Sequence, residues 1–366
     1  MNLIKTTREN LLKPLQAVSG IIERRHTLPI LSNVLLSRKK GVLAFVATDI
    51  EIEVSADMPS EGEDKAVTVG ARKLLDILRA LPDQAEVVLS LAEKRMQVKA
   101  GKSRFNLQTL PPEDFPRMPA GEVSSNFSIA QKTLKHLVGL VLYSMAQQDI
   151  RYYLNGLLLV IDEEGLKVVA TDGHRLAYAS SAQPGPASTK QEVILPRKTV
   201  LELARLLEDG DAPVDVALGA GQACFSFNGI VIQSKLVDGK FPDYTRVIPK
   251  NHPKKRTLKR TVLQAALQRA SILTSDKFKG VRWILAEGSL KISCSNNEQE
   301  EAQEELDVDY KGEVLDIGFN VQYLLDVLNN LEVDEIDCAL GDANSSALIT
   351  KPGQEDFKYV VMPMRI

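Results

Sequence analysis

The sequence predicts an α+β fold of three similar domains, because strand-like and helix-like patterns recur together three times along its 366 residues. Segments that end at Asp49, Asp172 and Asn296 alternate apolar residues after a glycine-containing turn, and they lie 123 and 124 residues apart. Alternation of this kind is typical of a β-strand with one buried face. A repeat of this length is large enough to hold its own hydrophobic core.

A second recurring pattern is a leucine-rich segment, seen as LLDILRAL, LELARLL and LLDVLNNL at offsets of 126 and 124 residues. Its leucines recur at helical spacing, which predicts an amphipathic helix with one buried face. An alternating strand follows each copy, as EVVLSL, VDVALG and EIDCAL. A further helix is predicted earlier in each copy, beginning near Glu9, Gln131 and Thr261.

The predicted domains are residues 1–125, 126–250 and 251–366, with boundaries in loops rich in proline and charge. Their net charges are +2, 0 and −5, so the first and last domains differ in sign. Unlike ends suit a head-to-tail contact between subunits, which closes into a ring if the rotation permits. The alternative is that both charged runs are solvated faces.

Composition argues against several classes of protein. No run of about 18 apolar residues occurs, and the first ten residues lack an apolar signal core, so we expect a cytoplasmic protein without membrane association. Three scattered cysteines and four histidines without ligand spacing indicate no disulfide scaffold, metal or cofactor. The net charge of −3 disfavours nucleic acid as a partner unless the basic residues of the predicted helices share one face.

Several segments resemble the bacterial beta subunit of DNA polymerase III, the beta sliding clamp family. They are HTLPILSNVLL, SMAQQDIRYYLNGLLL, VATDGHRLA, LPRKTVLEL, SKLVDGKFPDYTRVIPKN and YVVMPMRI. The resemblance covers the full length and implies three clamp domains per chain, with helices on the inner face and antiparallel sheets outside. Two chains would join head to tail as a ring-shaped homodimer.

The resemblance implies a processivity factor that is not an enzyme. Such a ring encircles double-stranded DNA and tethers the replicative polymerase and other replication and repair proteins, after a clamp loader has placed it. Weak phosphate contacts without sequence preference permit sliding. The residues implied for DNA contact are Arg25, Gln148, Tyr152, Tyr153, Arg197 and Lys198.

Two of these positions leave an alternative open. Tyr152 and Tyr153 could instead be core aromatics of a strand, although alternation would leave at least one of them exposed. His26 stands where many family members have proline, which affects the loop that carries Arg25.

The resemblance also implies a groove that binds a short linear peptide of the Gln-Leu type, which the partner proteins carry. Methionine and valine suit an adaptable apolar pocket, and Arg175, Arg246 and Arg365 could reach peptide carbonyls or carboxylates. The alternative for YVVMPMRI is a plain C-terminal edge strand. The implied residues are Leu154, Thr171, Gly173, His174, Arg175, Leu176, Pro242, Arg246, Val247, Ser346, Val360, Val361, Met362, Pro363, Met364 and Arg365.

For the dimer interface the resemblance implies Lys73, Phe105 and Leu107 on one side. The residues implied for the other side are Ile272, Leu273, Glu298, Glu300, Glu301 and Glu304. Ile272 and Leu273 end an apolar helix, so a core position is the alternative for that pair.

Two other functions deserve comparison with a clamp. Asp172, His174 and Arg175 in TDGHR could form a catalytic cluster, but the sequence offers no accompanying nucleophile, P-loop or metal motif. A peptide-binding adaptor would use the same groove without encircling DNA, and salt-dependent retention on DNA distinguishes it from a clamp.

Overall fold

The structure, a computed structural model, describes residues 2–23, 28–119, 121–182, 190–274 and 279–366. The helices are α1 (Arg8–Val18), α2 (Ala71–Ala80), α3 (Gln131–Val141), α4 (Arg197–Leu206), α5 (Arg260–Ala270) and α6 (Val321–Asn330). The strands are β1 (Asn2–Thr7), β2 (Asn33–Lys39), β3 (Val42–Thr48), β4 (Ile52–Pro59), β5 (Lys65–Gly70), β6 (Glu86–Ala92), β7 (Arg95–Ala100), β8 (Ser103–Leu110), β9 (Ser125–Ala130), β10 (Gly156–Asp162), β11 (Gly165–Thr171), β12 (Arg175–Ser181), β13 (Gln191–Pro196), β14 (Pro213–Leu218), β15 (Gln222–Phe227), β16 (Ile230–Lys235), β17 (Lys254–Lys259), β18 (Gly280–Ala286), β19 (Ser289–Ser295), β20 (Glu301–Asp307), β21 (Leu315–Asn320), β22 (Glu335–Leu340), β23 (Ala347–Thr350) and β24 (Phe357–Val361).

Among the described residues the elements follow one order six times: a strand, a helix and three antiparallel strands. The six copies begin at β1, β5, β9, β13, β17 and β21. Consecutive copies form pairs that exchange their first strands. The first strand of each copy joins the sheet made by the three antiparallel strands of the other, as β1 joins β6 and β5 joins β2. The predicted three-fold repeat is therefore confirmed, and each of the three repeats contains two related halves.

The contacts divide the chain into two compact units. The first comprises residues 1–134 and 198–236, and its strands form one sheet in the order β1-β6-β7-β8-β5-β2-β3-β4-β16-β15-β14-β9. Strand β4 pairs with β16, which joins strands of the first and second sequence repeats in one sheet. Strand β8 meets β5 through only two residue pairs, so most of its outer edge is unpaired within the described chain.

The second unit comprises residues 135–197 and 237–366 and contains two sheets. One has the order β13-β10-β11-β12-β24-β23-β22-β17 and joins strands of the second and third repeats where β12 pairs with β24. The other has the order β20-β19-β18-β21, with β20 at its edge. Trp283 and Phe319 pack edge to face in the core of this smaller sheet, with ring centroids 5.3 Å apart.

The helices bury the faces that their sequences predict. In α2, Leu74, Leu75 and Leu78 are buried, whereas Arg72 and Arg79 are exposed. Among the described residues, every helix is too short or too polar to cross a membrane.

In the pairs α1–α2 and α5–α6, an arginine at the start of one helix donates a hydrogen bond to a carbonyl near the end of the other. Arg8, the first residue of α1, donates from Nε to the Leu78 carbonyl of α2 at 2.7 Å. Arg260, the first residue of α5, donates from Nη1 to the Leu328 carbonyl of α6 at 3.0 Å. A cation at the last carbonyls of a helix interacts favourably with its dipole, so each arginine stabilises the partner helix.

The turns after β3 and β11 are built alike. The side chains of Asp49 and Asp172 each accept two hydrogen bonds from the backbone of the following residues, at 2.9 to 3.0 Å. The residue after the aspartate has positive φ in both turns: +89° at Gly173 but +81° at Ile50. A β-branched residue in this conformation is strained, whereas glycine is not.

Alanine usually gives a more stable protein than glycine at the same position. Because of the strain at position 50, we expect the reverse order of stability there. Both Ile50→Ala and Ile50→Gly remove a side chain that is 40% exposed, but only glycine adopts the left-handed backbone without cost. We expect the glycine variant to have a free energy of unfolding about 1 kcal/mol higher than the alanine variant, measured by denaturant titration. The ordinary order, with alanine more stable, would show that the turn is unstrained.

Candidate functional site

The second unit contains a groove floor between β12 and β24. Leu176 pairs with Val360 across these strands, and both side chains are buried in a cluster with Leu158, Val169 and Phe241. Strand β24 lies between β12 and β23, so the alternative that YVVMPMRI is a plain edge strand is wrong. The backbone N–H of Met362, just beyond the strand, donates to the His174 carbonyl at 2.9 Å and fixes the chain against the β11–β12 turn.

Apolar and cationic side chains stand exposed around this floor. Met362 is 48% exposed and Val247 47% exposed, while the Arg246 side chain is 85% exposed and forms an ion pair with Asp243. Like the floor residues, three others implied for the groove are buried: Leu154, Thr171 and Val361. The remainder are exposed or half-buried: Gly173, His174, Pro242, Ser346, Pro363, Met364 and Arg365.

Arg175 is bound within the protein. Its side chain is only 9% exposed, and it forms ion pairs with Asp326 at 2.5 Å and with Asp172 at 3.1 Å. Nη2 donates to the Tyr143 carbonyl at 2.6 Å, and the guanidinium lies 4.3 Å from the centroid of the Tyr323 ring. Nε, Nη1 and Nη2 of Arg175 each donate one hydrogen bond within the protein, and a contact between Arg175 and a peptide stays a prediction.

The same network determines the ionisation of its members. Burial lowers the pKa of Arg175, but Tyr359, Asp326 and Asp172 together hold that pKa above its ordinary value. Burial raises the pKa of Tyr143 well above the usual range. Arg175 thus stays charged and links the β11–β12 turn to α6.

The C-terminal segment is fixed at a second point. The backbone N–H of Met364 donates to the Gly318 carbonyl in β21 at 2.9 Å. A Cβ at position 318 would lie 2.5 Å from the Met364 carbonyl oxygen and 2.5 Å from the Ile366 side chain. Only glycine lets the segment lie this close, so Gly318 positions the exposed Met362 and its neighbours.

Replacing Gly318 by alanine is therefore expected to shift the C-terminal segment and weaken peptide binding about 3- to 10-fold. Fluorescence anisotropy with a labelled Gln-Leu-type peptide measures the change. Gly139→Ala is the matched control, because a Cβ at that helical glycine meets nothing within 4 Å. Equal affinity of the two variants would show that the segment does not need Gly318.

The residues implied for DNA contact fall in two places. Gln148 and Tyr152 are exposed, and Tyr153 is half-buried, in or beside a 3₁₀ turn formed by Tyr152–Leu154. The alternative that the tyrosines belong to a strand is therefore wrong. Arg151 pairs with Asp149 at 2.8 Å, and its hydrogen bonds lower the pKa of Asp149 to about 2, which holds this loop in one conformation.

The second place is the start of α4. Lys198 forms ion pairs with Glu23, at 3.1 Å, and with Asp49, so its charge is largely balanced by its own chain. Arg197 is half-buried and donates from Nη1 to the Met145 carbonyl at 3.2 Å. Arg25 and His26 lie outside the described residues. Sequence reasoning missed the acidic partners of Lys198, which are distant in the chain.

The residues implied for the dimer interface lie at two strand edges. Phe105 of β8 is 36% exposed beside the buried Leu107, and Leu107 lines a cavity of about 350 Å³ together with Lys73 and Ile22. Ile272 follows α5 and is 77% exposed, so a core position is wrong for it, whereas Leu273 is half-buried.

The acidic residues of this set are partly engaged. Glu304 of β20 accepts two hydrogen bonds from Arg269, at 2.5 and 2.8 Å. Glu300 accepts one from Asn296 at 2.6 Å. Glu298 and Glu301 are exposed at the start of the same edge.

The chain matches models of the DNA polymerase III beta subunit in three consecutive parts. Residues 1–119 match its N-terminal domain, 128–243 its central domain and 245–365 its C-terminal domain. The chain belongs to this family. Its fold is thus that of three clamp domains of mixed helix and antiparallel sheet.

Relatives within the beta clamp family are similar over almost the whole chain. The beta sliding clamp of Pseudomonas putida is 47% identical over 361 residues, and that of Escherichia coli is 46% identical over 361 residues, with 98% of each chain covered. A crystal structure of the DNA polymerase sliding clamp from Pseudomonas aeruginosa matches with a TM-score of 0.95 at 46% identity, covering 100% of both chains. A clamp from Bartonella birtlesii bound to griselimycin matches with a TM-score of 0.95 at 38% identity, covering 99% of this chain and 100% of that one.

Proposed function

We propose that this protein is a DNA sliding clamp with domains at 1–125, 126–250 and 251–366. Two copies form a head-to-tail ring that encircles duplex DNA in the cytoplasm without sequence preference. The ring tethers the replicative polymerase and other proteins through the groove described above, and confers processivity without catalysing a reaction.

The observation that carries the proposal is a strand pairing that the repeat leaves incomplete. The last strand of the first half of a repeat pairs with the last strand of the next repeat, as β4 pairs with β16 and β12 with β24. Strand β20 is the last strand of the first half of the third repeat. By the same rule its partner is the last strand of a first repeat, and that strand is β8. Within the part of the chain that the structure describes, β20 pairs only with β19 and most of β8 only with β7, so we infer that a second copy supplies both missing contacts.

Charge and shape at the two edges support this pairing. The β8 edge carries the exposed Arg104, with Lys99 on the neighbouring strand, and β20 carries Glu301 and Glu305. The exposed Ile272 ends the helix that packs on β20, and the cavity beside Leu107 offers an apolar recess on the opposite edge. Opposite charges around an apolar contact favour this pairing over contact between like edges.

The turn that could suggest an enzyme has a structural role. Both oxygens of Asp172 are occupied, Oδ1 by two backbone N–H groups and Oδ2 by Arg175. The equivalent Asp49 accepts the same two backbone bonds without a histidine beside it. A repeated turn thus accounts for Asp172 without catalysis.

Retention on a DNA circle tests the proposal. The protein is loaded onto a nicked circle by a clamp loader with ATP at moderate salt, and the bound fraction is measured before and after a single cut. We expect retention on the circle and rapid loss from the linear form, because a ring leaves over a free end.

Two other results would contradict a clamp. Equal retention on both forms would indicate ordinary surface binding. Loss from both, with a loader that is active on another clamp, would favour the peptide-binding adaptor.

A further inference from the structure

The second unit contains a cavity whose lining includes none of the residues implied for the groove. Its volume is about 570 Å³, and the rings of Tyr178 and Tyr244 stack in its wall with centroids 5.9 Å apart. Lys358 Nζ lies 5.8 Å from the centroid of the Tyr178 ring. Ile248 and Leu348 complete the apolar part of the lining. A stacked aromatic pair beside aliphatic side chains is a surface that a flat or branched apolar group can contact.

This cavity is continuous with the groove floor. Tyr178 follows Leu176 by two residues on β12, and Lys358 precedes Val360 by two residues on β24, opposite Tyr178. Side chains two residues apart lie on one face of a sheet, about 7 Å from each other. Tyr178 also packs against the same buried cluster as Leu176 and Val360. A peptide that leaves the groove in extended form therefore reaches the cavity within two or three residues.

Two lysines of the cavity, Lys358 and Lys250, can bind an anionic ligand. The other two are engaged within the protein, because Lys167 pairs with Asp162 and Glu164 and Lys255 pairs with Asp337. Lys358 pairs with Glu355 at 3.1 Å, but the Glu355 side chain is 92% exposed, so solvent weakens this pair and leaves Lys358 able to bind another carboxylate. Among the described residues, no ion pair engages the exposed Lys250.

We propose that this cavity is an additional subsite for the partner peptide, and that it binds the residues that flank the groove-binding motif. The preferred flank has an aromatic or large apolar side chain, which packs on Tyr178 and Tyr244, next to an aspartate or glutamate, which faces Lys358 and Lys250. The inference rests on the proposed function, because the groove must first bind the motif. The subsite then selects among partners that share the motif but differ in the flank.

Peptide titrations test this subsite. One labelled peptide contains a Gln-Leu-type motif alone, and others add Phe-Glu, Gly-Ser or Phe-Lys at either end within three residues of the motif. We expect the Phe-Glu flank to bind about 5- to 10-fold tighter than Gly-Ser at one of the two ends, measured by fluorescence anisotropy, with Phe-Lys intermediate.

Substitutions at two positions locate the effect. In Tyr178→Ala the Phe-Glu peptide should bind no tighter than the motif alone, both measured on that variant, and Tyr178→Phe should keep the gain because the stack remains. Lys358→Glu should make Phe-Lys bind better than Phe-Glu, because it reverses the charge beside the Tyr178 ring. Lys291→Glu is the matched control, because Lys291 is also paired with an exposed glutamate but does not line the cavity.

The outcomes separate this inference from the proposed function. If the motif alone binds but no flank changes the affinity, or if Tyr178→Ala and Lys358→Glu leave the gain intact, the subsite is overturned and the groove is not. If the motif alone fails to bind, the proposed groove is wrong and the subsite falls with it.

Discussion

Replacing Arg175 by alanine is expected to lower the free energy of unfolding by about 3–5 kcal/mol, the cost of leaving a buried charge without its partner. The change removes the ion pairs to Asp326 and Asp172 and the hydrogen bond to the Tyr143 carbonyl at once. It also empties the space against the Tyr323 ring. Denaturant titration measures the loss, and the affinity for a groove peptide should fall as well because the turn at His174 loses its anchor.

Arg246→Ala is the matched control for this experiment. Arg246 is also an arginine paired with an aspartate, Asp243, but its side chain is 85% exposed. An exposed pair contributes about 0–1 kcal/mol, so the free energy of unfolding should hardly change, while peptide affinity falls if the guanidinium contacts the ligand. A similar small effect for both variants would mean that the Arg175 network contributes little to stability.

Replacing Ile272 by aspartate is expected to convert the dimeric ring into monomers. In the proposed ring the exposed isoleucine fills the recess beside Leu107 of the second copy, and aspartate would lose this apolar contact and bring a carboxylate out of water into the interface. Because the ring contains this contact twice, we expect the dissociation constant to rise at least about 100-fold. Sedimentation at micromolar concentration measures the change, and retention on circular DNA should disappear with it.

Ile150→Asp provides the control, since Ile150 is 95% exposed and lies outside the predicted interface. Its variant should remain dimeric. A dimer of unchanged affinity for Ile272→Asp would show that Ile272 is not in the interface, whereas dissociation of both variants would indicate a general effect of charge.

Local periodicity predicted the helices and strands, but not the relation between the two halves of each repeat. The strands that end at Thr48, Thr171 and Ser295 and the helices α2, α4 and α6 lie where their apolar patterns place them. The six-fold order of strand, helix and three strands went unnoticed, because the two halves of a repeat share no motif. Their likeness is in the pairing of distant strands, which a sequence pattern does not contain.

The sequence predicted which positions belong to the site, but not which contacts their side chains make. The strand predicted to end at Asp172 does end beside it, at Thr171, yet the burial of Arg175 depends on Asp326, 151 residues away in the chain. Lys198 was expected to be an available cation, and its partners Glu23 and Asp49 lie 175 and 149 residues away. The Tyr178–Tyr244 stack likewise joins a strand to a loop that has no pattern in common with it.

The pairing of β4 with β16 and of β12 with β24 has a kinetic consequence for the proposed ring. Each of these two junctions has five residue pairs, and its two strands belong to the same chain. If such a junction breaks, the strands pair again in an intramolecular reaction. If one of the two junctions between copies opens, the other still holds the freed β8 and β20 edges near each other, at an effective concentration in the millimolar range. Reclosure then does not depend on the bulk concentration of the protein. A ring opened at one junction therefore reseals before its two subunits separate, so dissociation into monomers requires the rare simultaneous opening of both junctions.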